Sequence, residues 1–342
     1  MAAGEFTGGI KKIILNKKIS LKNGFAGLHR CSSRIKIFTS PALILVMLMG
    51  LLSGCKSYKQ QDEERPETPV RGKIYISADE SFKPVIDAQV EVFEAANENA
   101  KIIVQYKPEA ECLKDFATDS IRMVITTRSY TKGEEKFIID SMHAAASWNI
   151  IARDAIAVIV HPDAPDSLFS MQEIREILTG SYDKDLIPIF DGVQATSTVR
   201  YVVDSILKND SLTKKAMAAK TSEEVIDYVA RTPRAVGFIG VSWIGNKDDS
   251  TQVSFLKKVK VAQIESTDVP GGYVLPVQAN IYMKRYPMVR DLVYVLKEKI
   301  HNGLGYGFAR FLNGEIGQLI FKRAYLVPVH RNFILRTVQL RE

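Results

Sequence analysis

The sequence predicts an α/β fold in two lobes, each a mostly parallel sheet flanked by helices, with two strands crossing between them. Three observations carry this. Short apolar runs alternate with helical stripes from Gly72 onward, the pattern of a layered α/β structure. A strand, a hydroxyl-bearing turn and a helix recur at Ser77 to Phe82, Thr126 to Ser129 and Ala195 to Arg200. The pattern changes near Trp148 to Asp154 and again at Gly271-Gly272, as it would where the chain passes between lobes and back. The boundaries that follow are a leader over 1–54, a tether over 55–71, one lobe from 72–150 and 275–342, and the other from 151–274.

The leader has a basic region ending near Lys36, an apolar core from Pro41 to Leu52, and small residues in Leu52-Ser53-Gly54-Cys55. That core is too short to span a bilayer comfortably, which favours a cleaved signal. Lys11, Lys12, Lys17, Lys18, Lys22, Arg30, Arg34 and Lys36 stand against Glu5 alone, so the leader carries the whole formal charge of +7. The remainder is neutral. Nothing in it offers a footprint for a phosphate backbone, and nucleic acid is excluded as a partner. Of the three cysteines, Cys31 leaves with the leader and Cys55 stands at its end, so Cys112 has no intrachain partner and reads as a small buried apolar residue. Residues 55–71, polar with two prolines, read as a flexible tether, and folding is expected to begin near Gly72.

Ile74 and Ile76 mark a strand, and Phe82, Val85, Ile86, Val90 and Phe93 a helical stripe after a tight turn at Ser77 to Ser81. A strand follows at Lys101 to Tyr106, a helix around Glu109 to Thr118, and a short strand at Arg122 to Ile125. Thr131 and Glu134 have the spacing of a capping box, so another helix starts there. Ala155 to Val160 reads as a buried strand, and Ser170 to Gly180 as a helix that Gly180 ends. Leu186 to Phe190 leads to a turn at Asp191-Gly192, and helices follow after Thr198 and over Glu223 to Ala230. Ala235 to Ile244 is apolar, Tyr273 to Met283 reads as the returning strand, and Met288 to Phe321 as mainly helical. Gly303-x-Gly305-x-Gly307 reads as a break in that helix, and Trp148 and Trp243 as core or hinge packing.

The three turns carry the chemistry. In open α/β sheets the ligand crevice lies at the carboxyl ends of the strands, where such turns gather. A helix N-terminus presents unpaired N–H groups and partial positive charge, so it suits an anion. Ser81, Thr127, Ser197 and Thr198 would add hydroxyl donors, with Phe82 beside the first turn, and Arg128 and Arg200 the forked charge that an oxyanion accepts. Asp79 and Glu80 fit a ligand that brings its own proton, as hydrogen phosphate does and sulfate does not. The plainer reading is that Asp79 or Ser81 only caps the helix and that each arginine serves a surface ion pair. No catalytic motif emerges. His143, His161, His301 and His330 are scattered without metal-ligand spacing, and no phosphate-binding Gly-Lys loop or Gly-x-Ser-x-Gly elbow is present, so no metal, cofactor or catalytic residue is assigned.

With these residues assembled, the chain resembles the substrate-binding lipoproteins of phosphate-type ABC transporters, two-lobed periplasmic binding proteins. Ser81-Phe82-Lys83-Pro84 is similar to that family's Thr-Phe-x-Pro, Ala235 to Ile244 to its Ile-Gly-Tyr strand, and Gly317-Gln318-Leu319-Ile320 with Val327-Pro328 to its closing Gly-Gln-x-Ile and Val-Pro. Leu52-Ser53-Gly54-Cys55 resembles the bacterial lipobox, which implies cleavage before Cys55 and lipid on that cysteine. Two loops depart from the family. Thr127-Arg128-Ser129-Tyr130 stands where it has Ser-Asp-x-Pro, and Gly192 to Thr198, with Arg200 beyond, where it has Arg-x-x-Gly-Ser-Gly-Thr. Either Arg128 and Arg200 take over the missing charge or the pocket holds a different oxyanion. The resemblance implies a monomer, lipid-anchored in the cell envelope, that captures phosphate or a similar oxyanion and passes it to a membrane permease. A surface interaction or sensor protein that keeps the fold without transport is the alternative, with an enzyme of oxyanion chemistry behind it.

Overall fold

The computed structural model describes residues 67–118, 120–142, 146–192, 196–246, 248–297 and 303–330, all within one compact unit, Tyr58–Glu342. The expectations for the leader, Cys55, His143, Ala195 and His301 lie outside the described residues.

Strand β1 (Gly72–Asp79) turns Ile74, Ile76 and Ala78 into the core by the two-residue alternation of a strand. A 3₁₀ turn at Glu80–Phe82 leads into the helix Lys83–Ala96, with Pro84 in its first turn, where a missing N–H is no loss. Val85, Ile86 and Phe93 are buried on its inner face. Strands β2 (Ala100–Lys107) and β3 (Ile121–Thr126) flank β1, both parallel to it, with the helix Glu109–Asp115 between them in sequence. The predicted box opens the helix Lys132–Met142, Thr131 N–H donating to Glu134 at 2.8 Å and Glu134 N–H to Thr131 Oγ1 at 3.3 Å.

Strand β4 (Ser147–Val160) is the longest and belongs to both parts of the sheet. Beyond it come β5 (Leu168–Phe169) and the helix Met171–Thr179, capped by Ser170 and Glu173 and ended by Gly180 at φ 81°. A second parallel group follows, β6 (Ile187–Asp191) between β7 (Met217–Ala219) and β8 (Ala235–Gly240). The helix Ser197–Tyr201 runs on as a π turn over Val202–Leu207, and the helix Ser222–Arg231 covers the same group. β9 (Lys260–Val261) adds to β4, while β10 (Gln263–Glu265) and β11 (Tyr273–Val274) make a small sheet with β5. β12 (Val289–Leu296), the helices Leu304–Asn313 and Glu315–Arg323, and β13 (Val327–Pro328) complete the described chain.

The main path runs β2-β1-β3-β12-β4-β8-β6-β7. Each outer triplet is parallel, and the joins through β12 and β4 are antiparallel. The carboxyl ends of β1, β3, β6 and β8 therefore gather around the middle of the sheet.

Four expectations need correction. The stretch Val289–Leu296 is a strand, although Leu292, Val295 and Leu296 also fit a helical period. The slot between β3 and β4 decides it, because both edges there offer backbone partners. Tyr273 to Met283 is correspondingly a two-residue strand followed by the short helix Gln278–Tyr282. The Gly303-x-Gly305-x-Gly307 stretch opens a helix rather than breaking one, with Gly303 at its N-cap. A side chain on Gly307 would put its Cβ 1.8 Å from the Pro69 carbonyl, so the helix packs backbone to backbone there. That contact also shows where packing starts. Thr68 is buried, and Glu67 accepts the N–H of Leu304 at 3.0 Å, so ordered structure reaches upstream of Gly72.

Candidate functional site

The strand ends bring several polar groups to one buried place. Asp79, the last residue of β1, is wholly buried, and its Oδ1 accepts the N–H of Ser81 at 2.9 Å. Its Oδ2 accepts the N–H of Ser197 at 3.1 Å, from the helix that follows β6. Ser81 Oγ donates to Asp191 Oδ2 at 2.9 Å, and Ser222 Oγ donates to the same oxygen at 2.8 Å. The Ser81 carbonyl accepts Trp243 Nε1–H at 2.9 Å and the Ser242 hydroxyl at 3.3 Å, both just past β8. Thr196 caps its helix, its Oγ1 accepting the N–H of Val199.

Arg290 lies at the centre. Its Nη1 donates to Ser197 Oγ at 2.8 Å and to Thr198 Oγ1 at 3.2 Å, and its Nε to Asp154 Oδ2 at 2.9 Å. Nη2 lies 2.9 Å from the same carboxylate oxygen but makes no hydrogen bond. The guanidinium sits 4.8 Å from the centre of the Phe82 ring, a cation–π contact. Gly240 leaves room beside it, since a Cβ there would approach Nη2 and the Ser81 carbonyl to 3.2 Å.

A second cluster borders the first. Glu109 accepts the N–H of Thr127 at 2.8 Å and its hydroxyl at 2.6 Å. Arg200 reaches across from the other parallel group, its Nε on Glu109 and its Nη2 donating to Thr127 Oγ1 at 2.6 Å.

Burial sets the protonation. It pushes Asp79 up to about 6, with the Glu109 charge adding to the rise and Arg290 opposing it. Glu80, half-buried, is pushed up to about 7 by desolvation and by Asp191 and Asp79. Asp154 is also held above the usual carboxylate range by burial, which Arg290 offsets only in part. Glu109 goes the other way. Desolvation would raise it, but the hydrogen bonds from Arg200 and Thr127 hold it below its ordinary value. A buried arginine, hydroxyls from two helix starts and carboxyls that exchange protons near neutrality can together hold a small anion that carries a proton of its own.

Residues 63–315 match the family model described as the PBP superfamily domain. The chain belongs to the PBP superfamily. A curated relative, the phosphate-binding protein PstS of Borreliella burgdorferi, is 20% identical over 291 residues, which cover 81% of this chain and 93% of that one. A solved structure from Clostridium perfringens, described as a phosphate ABC transporter substrate-binding protein with bound phosphate, is similar with a TM-score of 0.62 and 20% identity, covering 75% of this chain and all of that one. An ABC-type phosphate transport receptor from Vibrio cholerae is similar with a TM-score of 0.56 and 17% identity over 75% of this chain and 100% of that one. At these identities the structural likeness is one of fold, and it agrees with the α/β architecture read from the sequence.

Within this PBP superfamily fold, Asp79, Ser81, Phe82, Ser197 and Thr198 come together around Arg290, with Thr127 and Arg200 in the bordering cluster and Glu80 at the edge. Arg128 does not join them. It forms a two-pronged pair with Glu134 at 2.9 and 3.1 Å, on the wall of a surface hollow with Tyr130 and Phe137. Arg290, Asp154, Asp191 and Glu109 were not singled out as site residues by sequence reading. Arg290 stands in a strand that reads as helix, far from any hydroxyl-rich turn, and only its place as a charge in an apolar run distinguished it. Cys112 is buried as expected, its Sγ donating to the Lys107 carbonyl at 3.4 Å, while Trp148 is about half exposed. Among the described residues no cluster of three or more His, Cys, Asp and Glu side chains is arranged for a metal ion, and no helix is long and apolar enough to cross a membrane.

Proposed function

We propose that the chain is an extracytoplasmic binding protein that captures phosphate or a similar tetrahedral oxyanion and hands it to an ABC permease. The single observation that carries this is Arg290, a buried guanidinium held beside Ser197 and Thr198, whose Nη2 has near it only the Asp154 oxygen that Nε already uses and makes no hydrogen bond to it. A buried donor left unmatched is costly, and a tetrahedral oxyanion supplies the acceptor that a planar guanidinium fits. Glu80 narrows the choice, because a carboxylate beside the anion is tolerated when the ligand brings a proton for it to accept. Phosphate does so near neutral pH. The names of the relatives in Borreliella burgdorferi and Clostridium perfringens point to the same ligand.

In this reading the two parallel groups of the sheet are the two lobes, β4 and β12 are the crossings, and the body works as a monomer by binding and release, with no chemical turnover. Lipid on Cys55 would hold the protein at the membrane, with further contacts needed for stable attachment.

Titration calorimetry on the full chain tests the proposal. Phosphate is expected to bind one to one, sulfate not, and Arg290→Gln is expected to abolish the heat. Absence of heat with phosphate, sulfate, molybdate and tungstate alike would reject it. One observation favours a second reading, an interaction or sensor protein: the site's N–H and hydroxyl donors at Ser81, Thr127 and Ser197 already have carboxylate acceptors within the protein. That calorimetric silence is what the second reading expects.

A further inference from the structure

The site is fastened by the protein's own carboxylates. Asp79 belongs to the first parallel group of the sheet, and Ser197 to the second, yet one carboxylate accepts the N–H of Ser81 through Oδ1 and that of Ser197 through Oδ2. Both N–H groups belong to turns that follow strand carboxyl ends, β1 for Ser81 and β6 for Ser197. Two oxygens of a tetrahedral anion placed between the two groups would need the same two donors.

We propose that Asp79 is a resident counter-ligand: its carboxylate occupies the paired N–H groups that an entering oxyanion requires and latches the two groups of the sheet together until ligand displaces it. The displacement half of this rests on the oxyanion reading above; the latch half does not. The geometry separates a latch from a helix cap. Capping needs only the contact to Ser81, within the same turn. The contact to Ser197 spans 118 residues and gives nothing to the turn that Asp79 opens.

Asp79→Asn isolates the latch. Asparagine caps as well as aspartate, so its oxygen can keep the Ser81 N–H. Its second group is an amide that donates, and it would face the donating N–H of Ser197. Trp243 reports the outcome, because it is buried and its indole N–H bonds across to the Ser81 carbonyl. The chain has two tryptophans, and replacing the half-exposed Trp148 by Phe leaves Trp243 as the sole tryptophan to excite.

In the full chain with Trp148→Phe, Trp243 is expected to be shielded from acrylamide without ligand. Adding Asp79→Asn is expected to red-shift its emission and raise its quenching severalfold, phosphate is expected to reverse both, and the phosphate Kd is expected to fall about tenfold or more. Should Asp79→Asn fail to fold, Asp79→Ser keeps a capping oxygen for the Ser81 N–H but has no second oxygen for that of Ser197, and must give the same loss of shielding. Persistent shielding of Trp243 in the ligand-free variant overturns the proposal. So does weaker phosphate binding by Asp79→Asn, which would make the carboxylate a ligand contact rather than an occupant. Loss of shielding with no phosphate binding by either protein leaves the latch standing and rejects the phosphate reading.

Discussion

Asp154 and Arg290 face each other twice, as backbone partners on β4 and β12 and again as an ion pair through Oδ2 and Nε at 2.9 Å. The strand register thus delivers this guanidinium to the site and fixes its counter-charge in the same step. Both side chains are nearly or wholly buried, at 3% and 0% exposure. Removing one partner of such a pair leaves a buried charge alone, whereas replacing both by neutral groups costs far less.

Arg290→Gln should therefore destabilise the body by about 3–5 kcal/mol in urea denaturation. Adding Asp154→Asn should recover most of that loss and none of the oxyanion binding. A double variant as unstable as the single one would contradict this account of the pair.

The two arginines flagged by sequence should behave differently. Arg200→Ala strips the cation from Glu109, which is 1% exposed, and is expected to cost about 2 kcal/mol. Arg128 pairs with Glu134 on the surface, so Arg128→Ala should change stability by less than about 1 kcal/mol and leave anion binding unaltered. Chemical denaturation and calorimetry on the two variants decide between them.

Stability should depend on pH from both sides. Asp79 and Glu80 are held above their ordinary values of 3.8 and 4.5, so what they favour is fully present below those values and is lost as pH rises through about 6 and about 7. Glu134 is held down to about 2 by its hydrogen bonds from Arg128, so its contribution is present above its ordinary 4.5 and lost as pH falls through about 2. Thermal midpoints should rise as pH falls from about 7 toward about 4.5 and fall again at lower pH. Asp79→Asn with Glu80→Gln should flatten the limb between about pH 4.5 and 7 only; an unchanged limb would show that other groups set it.

Gly307→Ala probes the packing of the segment before β1. The new Cβ would meet the Pro69 carbonyl at 1.8 Å, and no flexible side-chain end is there to yield. The expected result is a loss of about 2 kcal/mol or more, with residues 67–71 becoming open to limited proteolysis. A fully stable, protease-resistant variant would mean that those residues do not pack as described.

The sequence by itself determined the elements whose signals are local. Ser170 with Glu173 and Gly180 bounded a helix, Ile74 and Ile76 marked β1, and Thr131 with Glu134 opened a helix, because caps and short periods are written within a few residues. It also picked out the hydroxyl turns at Ser81, Thr127 and Ser197, since strand–turn–helix is equally local. Tertiary structure alone decided what those turns face. Val289–Leu296 suits a strand or a helix by pattern, and the open edges of β3 and β4 settled the matter, which carried Arg290 into the site. The same step left Arg128 outside, because Glu134 is its near neighbour and the cluster around Arg290 is not. Charges pair with whatever counter-charge the fold brings within reach, and that reach is a property of strand order, which no short stretch of sequence contains.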